Sequence, residues 1–171
     1  MTEPASCRDL DTVARQLGRR PRSARAVAHR CPCGLPDVVT TDPRLEDGTP
    51  FPTFFYLTCP RAASAVGTLE ASGLMSRMSD RMRRDADLAI AYRAAHEHYL
   101  AARTSAGHVP EIEGVSAGGM PDRVKCLHVL VAHALAAGPG VNPLGDEALA
   151  MLPRWWDDGP CVGDRQPPGD P

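Results

Sequence analysis

Residues 124–133 read "VKCLHVLVAH", a largely apolar run that also contains a cysteine and two histidines. Cys126 and His128 stand two positions apart, and His133 follows five positions later. Thiolate and imidazole groups are common zinc ligands, and a thiol beside an imidazole is also the pair used in nucleophilic catalysis. Buried cysteine can equally pack as a small hydrophobic residue. Three interpretations follow: metal ligands, a catalytic pair, or core side chains.

The apolar spacing of this stretch predicts a helix over about 122–137. In such a helix His133 lies two turns after Cys126, about 10 Å along the axis, so both cannot easily ligate one metal. His128 is the better partner, because a distorted first turn would let its side chain and that of Cys126 reach one ion. Cys126 and His128 are therefore the first candidate pair.

Further thiols stand earlier in the chain. A structural zinc site needs four thiolate or imidazole ligands, and half of such a set is often a Cys-x-Cys pair on a tight turn. The turn "CPCG" supplies such a pair as Cys31 and Cys33, and Cys59 follows a predicted strand. Together with Cys126 and His128, these thiols predict a Cys₃His or Cys₄-like metal cluster.

A catalytic interpretation of the same residues stays open. Cys59 or Cys126 would act as a nucleophile, with His128 or His133 as its base. The N-terminus of the helix that follows Cys59 would give this residue thiolate character. In the third interpretation the thiols pack in the core.

A glycine pair precedes the predicted helix in the segment "SAGGMPDRVK". Backbone N–H groups around Gly118 and Gly119, with Arg123 and Lys125 nearby, could cradle an anion. A flexible loop explains the same residues equally well. The segment is therefore either an anion-binding site or a flexible loop.

The elements that would position these side chains are helical, apart from strands in the first third of the chain. Strand patterns occur at 24–30 and 36–41, and the aromatic run "FPTFFYLTC" predicts a strand within 51–59. Helical spacing predicts the remaining elements, at 6–17, 60–73, about 76–103, about 122–137 and 146–152.

This order of elements predicts an α+β fold, in which a small antiparallel sheet of about three strands packs against four or five helices. Residues 1–152 are predicted to form a single globular domain. The Pro/Gly-rich residues 153–171 are predicted to be a disordered tail.

Composition and charge exclude several classes of partner. The 171 residues carry a formal net charge of -2, so no overall field draws the chain to nucleic acid or to an anionic membrane. The basic segment "GRRPRSAR" lacks interleaved aromatic residues and is interpreted as a solvated loop flank. We therefore expect no nucleic-acid and no membrane partner, while an unknown protein partner stays open.

Export signals are missing from the start "MTEPASCRDLD", and no apolar run approaches about 18 residues. A cytoplasmic location is expected, where thiols stay reduced, so the six cysteines do not predict a disulfide framework. Cys7 and Cys161 lie in the polar margins of the chain and are interpreted as incidental. Basic residues are almost all arginine, which is typical of a bacterial protein from a GC-rich genome.

Several longer motifs occur in a specific order: "CPCGLP", "PRLEDGTPFPTFFYLTCP", "GTLEASGLM", "SAGGMPDRVKCLH" with "AH" just after, and "NPLGD". In these motifs the chain resembles the bacterial domain-of-unknown-function 501 family, from about residue 16 to residue 150. The family has no established reaction. The resemblance implies that genes of related proteins lie near the genes of a septum-formation initiator and an exopolyphosphatase-like phosphatase. This neighbourhood points to a role in division or phosphate metabolism.

The resemblance also implies which cysteines matter. In the family pattern the positions of Cys31, Cys59, Cys126 and His128 recur, whereas that of Cys33 varies. The Cys59 position also holds histidine, an exchange that a metal site tolerates and a thiol nucleophile does not.

We therefore predict that Cys31, Cys59, Cys126 and His128 bind one metal, with zinc first and an iron–sulfur cluster second. Cys33 and His133 are possible additional ligands. The predicted function is a metal-binding structural or interaction module. The alternative is a hydrolase-type enzyme that uses a Cys/His or open-metal site on a phosphorylated or acyl substrate.

Overall fold

The structure, a computed structural model, describes residues 2–163 and has the predicted α+β fold. The strands of its sheet are β1 Glu3–Pro4, β2 Ala24–Arg30, β3 Pro36–Thr41 and β4 Phe55–Leu57. The helices are α1 Cys7–Leu17, α2 Pro60–Ala71, α3 Leu74–Met82, α4 Ala86–Ala106, α5 Leu127–Ala137 and α6 Pro143–Ala150, with a short 3₁₀ turn at Pro110–Ile112. The sheet is antiparallel throughout, in the order β1-β2-β3-β4.

The first helix has the predicted bounds because its caps are complete. The Ser6 side chain accepts a hydrogen bond from the Asp9 N–H at 3.2 Å, and the Asp9 carboxylate accepts one from the Ser6 N–H at 3.0 Å. Gly18, with φ 67°, ends the helix in the left-handed region that glycine adopts most easily. Arg30 on β2 donates to Asp9 at 2.8 Å, which fastens α1 to the sheet.

The sheet differs from the prediction in two places. The structure has an additional strand, β1, that the sequence did not predict, because two residues are too few to show an alternating pattern. The third predicted strand shrinks from 51–59 to β4, and Pro52, inside the predicted range, cannot donate a backbone hydrogen bond. The bounds of β2 and β3 agree with the prediction, and the "CPCG" turn joins them.

The helices correct the prediction as well, because there are six of them in the part of the chain described rather than four or five. The segment predicted as one helix at 76–103 is divided into α3 and α4, where Asp85 caps α4 by accepting from the Leu88 N–H at 3.0 Å. The helix predicted from residue 122 begins at Leu127. Residues 121–126 instead form an irregular segment whose Lys125 N–H donates to the Gly118 carbonyl at 2.7 Å.

The core lies between α5 and its neighbours β4, α2 and α6. Leu127, Leu130 and Val131 on α5 are fully buried. Gly145 permits α6 to cross α5 closely, since a Cβ atom there would collide with the Leu130 carbonyl oxygen and lie 3.0 Å from the Ala134 Cβ. This packing fixes the position of the start of α5.

The chain after α6 has neither helix nor strand up to residue 163, yet it packs on the domain. Trp155 in this segment is buried. The predicted disordered tail begins at residue 153, and its part from 164 to 171 lies outside the described residues. None of the helices in residues 2–163 has the length and apolar character needed to cross a membrane.

Candidate metal centre

The start of α5 brings together the side chains of Cys126 and His128. Cys126 is the residue before the helix and has an extended backbone, with φ -154° and ψ 115°. Because it stands outside the helix, its side chain is free of the direction that helical geometry would impose. One ligand atom of Cys126 and one of His128 lie within 4.8 Å of each other. The helix therefore begins later than predicted, at Leu127, and this late start lets the two side chains approach each other.

A third side chain, Glu70, reaches this pair from the last turn of α2. Its Oε1 atom accepts the Leu127 N–H at 2.6 Å and lies 3.2 Å from Nδ1 of His128. A carboxylate is favourable at this place because the first N–H groups of a helix lack partners within the helix. Sequence reasoning missed Glu70, since nothing local in "GTLEASG" indicates which helix its side chain will meet.

These three residues form a compact donor set. One ligand atom each of Glu70, Cys126 and His128 lie within 4.8 Å of one another, and all three residues are half-buried. Within residues 2–163, no other group of three or more Cys, His, Asp or Glu side chains has its ligand atoms within 4.8 Å of one another. Two of the four predicted ligands are thus brought together, with a carboxylate beside them.

The imidazole of His128 is held from both sides. Its Nε2 atom lies 3.1 Å from the Ala63 carbonyl oxygen, so Nε2 carries a proton that it donates. Its Nδ1 atom faces the Glu70 carboxylate. The hydrogen bond to Cys126, followed by the contact with Glu70, raises the pKa of His128 to about 9, although burial acts in the opposite direction. Without a metal, His128 is therefore an imidazolium at neutral pH.

The donor set suits zinc better than an iron–sulfur cluster. Zinc accepts a thiolate, an imidazole and a carboxylate together, whereas iron–sulfur clusters are held mainly by several thiolates. The bond from His128 Nε2 to the Ala63 carbonyl is the arrangement that commonly orients a zinc-bound histidine whose other nitrogen ligates the metal. Three protein ligands would leave a fourth position for water or a partner group.

The "CPCG" turn places the thiols of Cys31 and Cys33 against each other and outside this donor set. Cys31 is buried at the end of β2, and its N–H donates to the Leu35 carbonyl at 3.0 Å. Burial, with a smaller effect of Cys33, raises the pKa of the Cys31 thiol to about 12. Cys31 therefore remains a protonated thiol at neutral pH in the metal-free protein.

Cys59 occupies the position just before α2 and is 1% exposed. Its thiol meets that of Cys161, a residue interpreted from the sequence as incidental. This contact and burial raise the pKa of Cys59 well above its usual range. The expected thiolate character of Cys59 is therefore corrected, because the neighbouring thiol and the loss of solvent outweigh the helix N-terminus.

His133 lies in the core and outside the donor set, although it was a possible additional ligand. Its ring is stacked on Phe55, with centroids 5.4 Å apart. Asn142 donates to its Nδ1 at 3.2 Å, since the Asn142 carbonyl oxygen already accepts the Gly145 N–H. The Nε2 proton of His133 then points to Nδ1 of His98 at 2.9 Å. Burial lowers the pKa of His133 to about 4, so it is neutral.

The glycine pair of the candidate anion site closes a tight turn. A Cβ on Gly119 would lie 2.7 Å from the Arg123 carbonyl oxygen, and both Gly118 and Gly119 have positive φ. The N–H groups of Arg123 and Lys125 donate to the carbonyls of Gly119 and Gly118, at 3.1 and 2.7 Å. These two donors are engaged within the loop, and close packing explains the glycines without an anion.

The basic "GRRPRSAR" segment borders a cavity of about 420 Å³ on the sheet. Its lining includes Arg19 and Arg22 of this segment together with the apolar or aromatic side chains of Val39, Phe51 and Tyr56. None of the three residues of the candidate metal centre borders it. The segment therefore flanks a groove rather than an open, uniformly basic surface.

The chain matches a known protein family. The family model described as "Protein of unknown function (DUF501)" matches residues 27–150. Glu70, Cys126 and His128 all lie in the matched range, whereas Cys161 lies beyond it. No curated protein and no solved structure matches the chain.

Proposed function

Since the chain belongs to the DUF501 family, whose function is unknown, we propose a function from the geometry of the candidate metal centre. We propose that the protein binds a zinc ion through the Cys126 thiolate, Nδ1 of His128 and the Glu70 carboxylate, and that it is a structural or interaction module. The cytoplasmic location expected from the sequence belongs to this proposal, because reducing conditions keep the Cys126 thiol available.

One observation carries the proposal: three ligand atoms, one from the end of α2 and two from the start of α5, lie within 4.8 Å of one another. A carboxylate and an imidazole lone pair repel each other at this separation unless a positive charge lies between them. In the metal-free protein a proton on His128 Nδ1 supplies that charge, in accord with its raised pKa of about 9. A zinc ion would replace this proton and satisfy all three donors.

The ion would join two helices that are far apart in the sequence. Glu70 lies at the end of α2, and Cys126 with His128 lies at the start of α5. Because a zinc site binds the folded state and not the unfolded chain, it would stabilise the docking of α2 against α5. A fourth ligand from water or from a partner protein would complete the tetrahedron, which suits an interaction module.

Elemental analysis of the purified chain tests the proposal directly. We expect one zinc ion per chain, and loss of most of this zinc in Cys126→Ser, His128→Ala and Glu70→Gln. The matched control is Cys7→Ser, which removes an exposed thiol outside the donor set and should keep the zinc. Zinc-free wild-type protein after incubation with zinc and desalting, or full zinc in Cys126→Ser, would refute the proposal.

A second candidate function is hydrolysis of an acyl or phosphorylated substrate by a Cys–His–Glu triad. The proximity of the Cys126 thiol to the His128 imidazole favours it. In a triad, however, the thiol and the carboxylate occupy opposite ring nitrogens. Here the Ala63 carbonyl occupies Nε2, which leaves Nδ1 for both Cys126 and Glu70. This geometry favours the metal over the triad.

Activity assays separate the two candidates. The metal-free and the zinc-loaded chains would be compared on a panel of thioesters and phosphoesters, with Cys126→Ser and His128→Ala as variants. If the protein is a metal-binding module, neither form should hydrolyse any of these substrates above background. Turnover by the metal-free wild type that both variants abolish, while their circular dichroism stays unchanged, would establish the enzyme instead.

A further inference from the structure

Two cysteines outside the candidate metal centre meet where α2 begins. Cys59 is the buried residue before the helix, and Cys161 is half-buried in the segment that follows α6. Their side chains lie in contact with each other. A hundred residues of chain separate them, so tertiary packing brings the two sulfurs together.

Several contacts hold the C-terminal segment in this position. Arg61 Nη1, in the first turn of α2, donates to the Gly159 carbonyl at 2.8 Å. Gln16 Nε2 donates to the Cys161 sulfur at 3.3 Å and to the Pro36 carbonyl at 2.7 Å. The segment is thereby fixed to α2 at Gly159 and to α1 at Cys161, and Gln16 links this second contact to the sheet.

The two thiols differ in their acidity. The hydrogen bonds from Cys59 and Gln16, together with the charge of Arg61, lower the pKa of Cys161 to about 6, although burial opposes this. The same contact with Cys161 raises the pKa of Cys59. Cys161 is therefore the more acidic of the two thiols and the one that ionises first. A thiolate next to a thiol is the arrangement of a reactive cysteine and its resolving partner.

We propose that Cys59 and Cys161 are a redox-reactive pair that a hydroperoxide converts into a disulfide. The Cys161 thiolate attacks the terminal peroxide oxygen, the O–O bond breaks, and the departing alkoxide or hydroxide takes a proton from water. The Cys59 sulfur then attacks the resulting sulfenic sulfur of Cys161. The S–O bond breaks, and the oxygen leaves as water with the proton of the sulfenic acid and that of Cys59. Two thiols are oxidised, and one peroxide is reduced to an alcohol and water.

The disulfide would attach the C-terminal segment covalently to the start of α2. Reduction by a dithiol would release this bond and leave the Arg61 and Gln16 contacts to hold the segment. The pair is separate from the candidate metal centre, because Cys59 and Glu70 are eleven positions apart, about 16 Å along a helix. The inference therefore does not depend on the proposed function.

Peroxide titration of the full, reduced chain followed by peptide mapping tests the proposal. After treatment with one equivalent of hydrogen peroxide, we expect the intact mass to fall by two hydrogen atoms. Digestion without reductant should yield a Cys59–Cys161 cross-linked peptide, which dithiothreitol removes. The control Cys7→Ser should behave as the wild type. A cross-link between Cys31 and Cys33 instead, or no cross-link at all, would overturn the proposal.

Variants separate the roles of the two sulfurs. Cys161→Ser should lose the cross-link and leave Cys59 unmodified by the peroxide. Cys59→Ala should accumulate a sulfenic acid on Cys161, detected as an adduct with dimedone. If Cys59→Ala does not fold, Cys161→Ser and the wild-type peptide map still decide the matter, since Cys161 lies outside the helices and the sheet. A dimedone adduct on Cys59 in Cys161→Ser would contradict the assigned order of attack.

Discussion

The carboxylate oxygen Oε1 of Glu70 lies 3.2 Å from Nδ1 of His128. The same oxygen accepts the N–H of Leu127, the first residue of α5. A single side chain at the end of α2 thus caps α5 and contacts the histidine of its first turn. Changes at this site should therefore alter both metal affinity and the stability of the α2–α5 packing.

Replacement of Glu70 by glutamine should weaken zinc binding by roughly 10-fold or more, because a neutral amide is a poorer ligand than a carboxylate. The variant should also lose about 1 kcal/mol of unfolding free energy, since a charged cap of α5 becomes neutral. Competition with a chromophoric chelator measures the first effect and urea denaturation the second. Glu46→Gln, at an exposed carboxylate, is the matched control and should change neither.

Removal of the metal should lower stability in a concentration-dependent way. At free zinc about 100 times the dissociation constant, linkage adds about 2.7 kcal/mol to the unfolding free energy. The midpoint of thermal unfolding should therefore rise with added zinc and fall with a chelator. Cys126→Ser should show a midpoint that is independent of zinc. An equal zinc response in that variant would place the metal elsewhere.

His133 should make the protein sensitive to mild acid. Burial lowers its pKa from the ordinary value of 6.5 to about 4 in the folded protein, so the unfolded chain binds this proton at higher pH than the folded protein does. The unfolding free energy should therefore decrease as the pH falls from 6.5 to 4, by about 3 kcal/mol for this residue alone. His133→Gln keeps a group that can bond to Asn142 and should show a flatter profile over this range. Identical profiles in urea titrations of the two proteins would contradict the assignment.

Two glycines offer a matched test of the α5–α6 crossing. Gly145→Ala should destabilise the protein by about 1–3 kcal/mol, because the new methyl group collides with the Leu130 carbonyl and α6 must move. Gly67→Ala, within α2, meets no atom within 4 Å and should stabilise by about 0.5–1 kcal/mol. Thermal unfolding of both variants checks the prediction. A stable Gly145→Ala protein would show that the crossing is loose.

Local patterns determined much of the fold. The Ser6 cap and the Gly18 terminator predict α1 with its observed bounds, and the β2 and β3 bounds also agree with the prediction. These features depend on residues close in the chain, so sequence reasoning finds them. β1 was missed because a two-residue strand is formed by its pairing partner rather than by its own pattern.

The residues of the candidate site also fall into two groups, those found from the sequence and those found only in the structure. The sequence by itself identified Cys126 and His128, since a thiol and an imidazole two positions apart are visible in the chain. Their third partner Glu70, and the pairing of Cys59 with Cys161, were decided by the tertiary structure. The physical reason is that these contacts join residues from distant segments, and their geometry depends on how α2 packs against α5 and on how the C-terminal segment crosses the domain. No local propensity specifies such packing, whereas caps and periodicity act within a few residues.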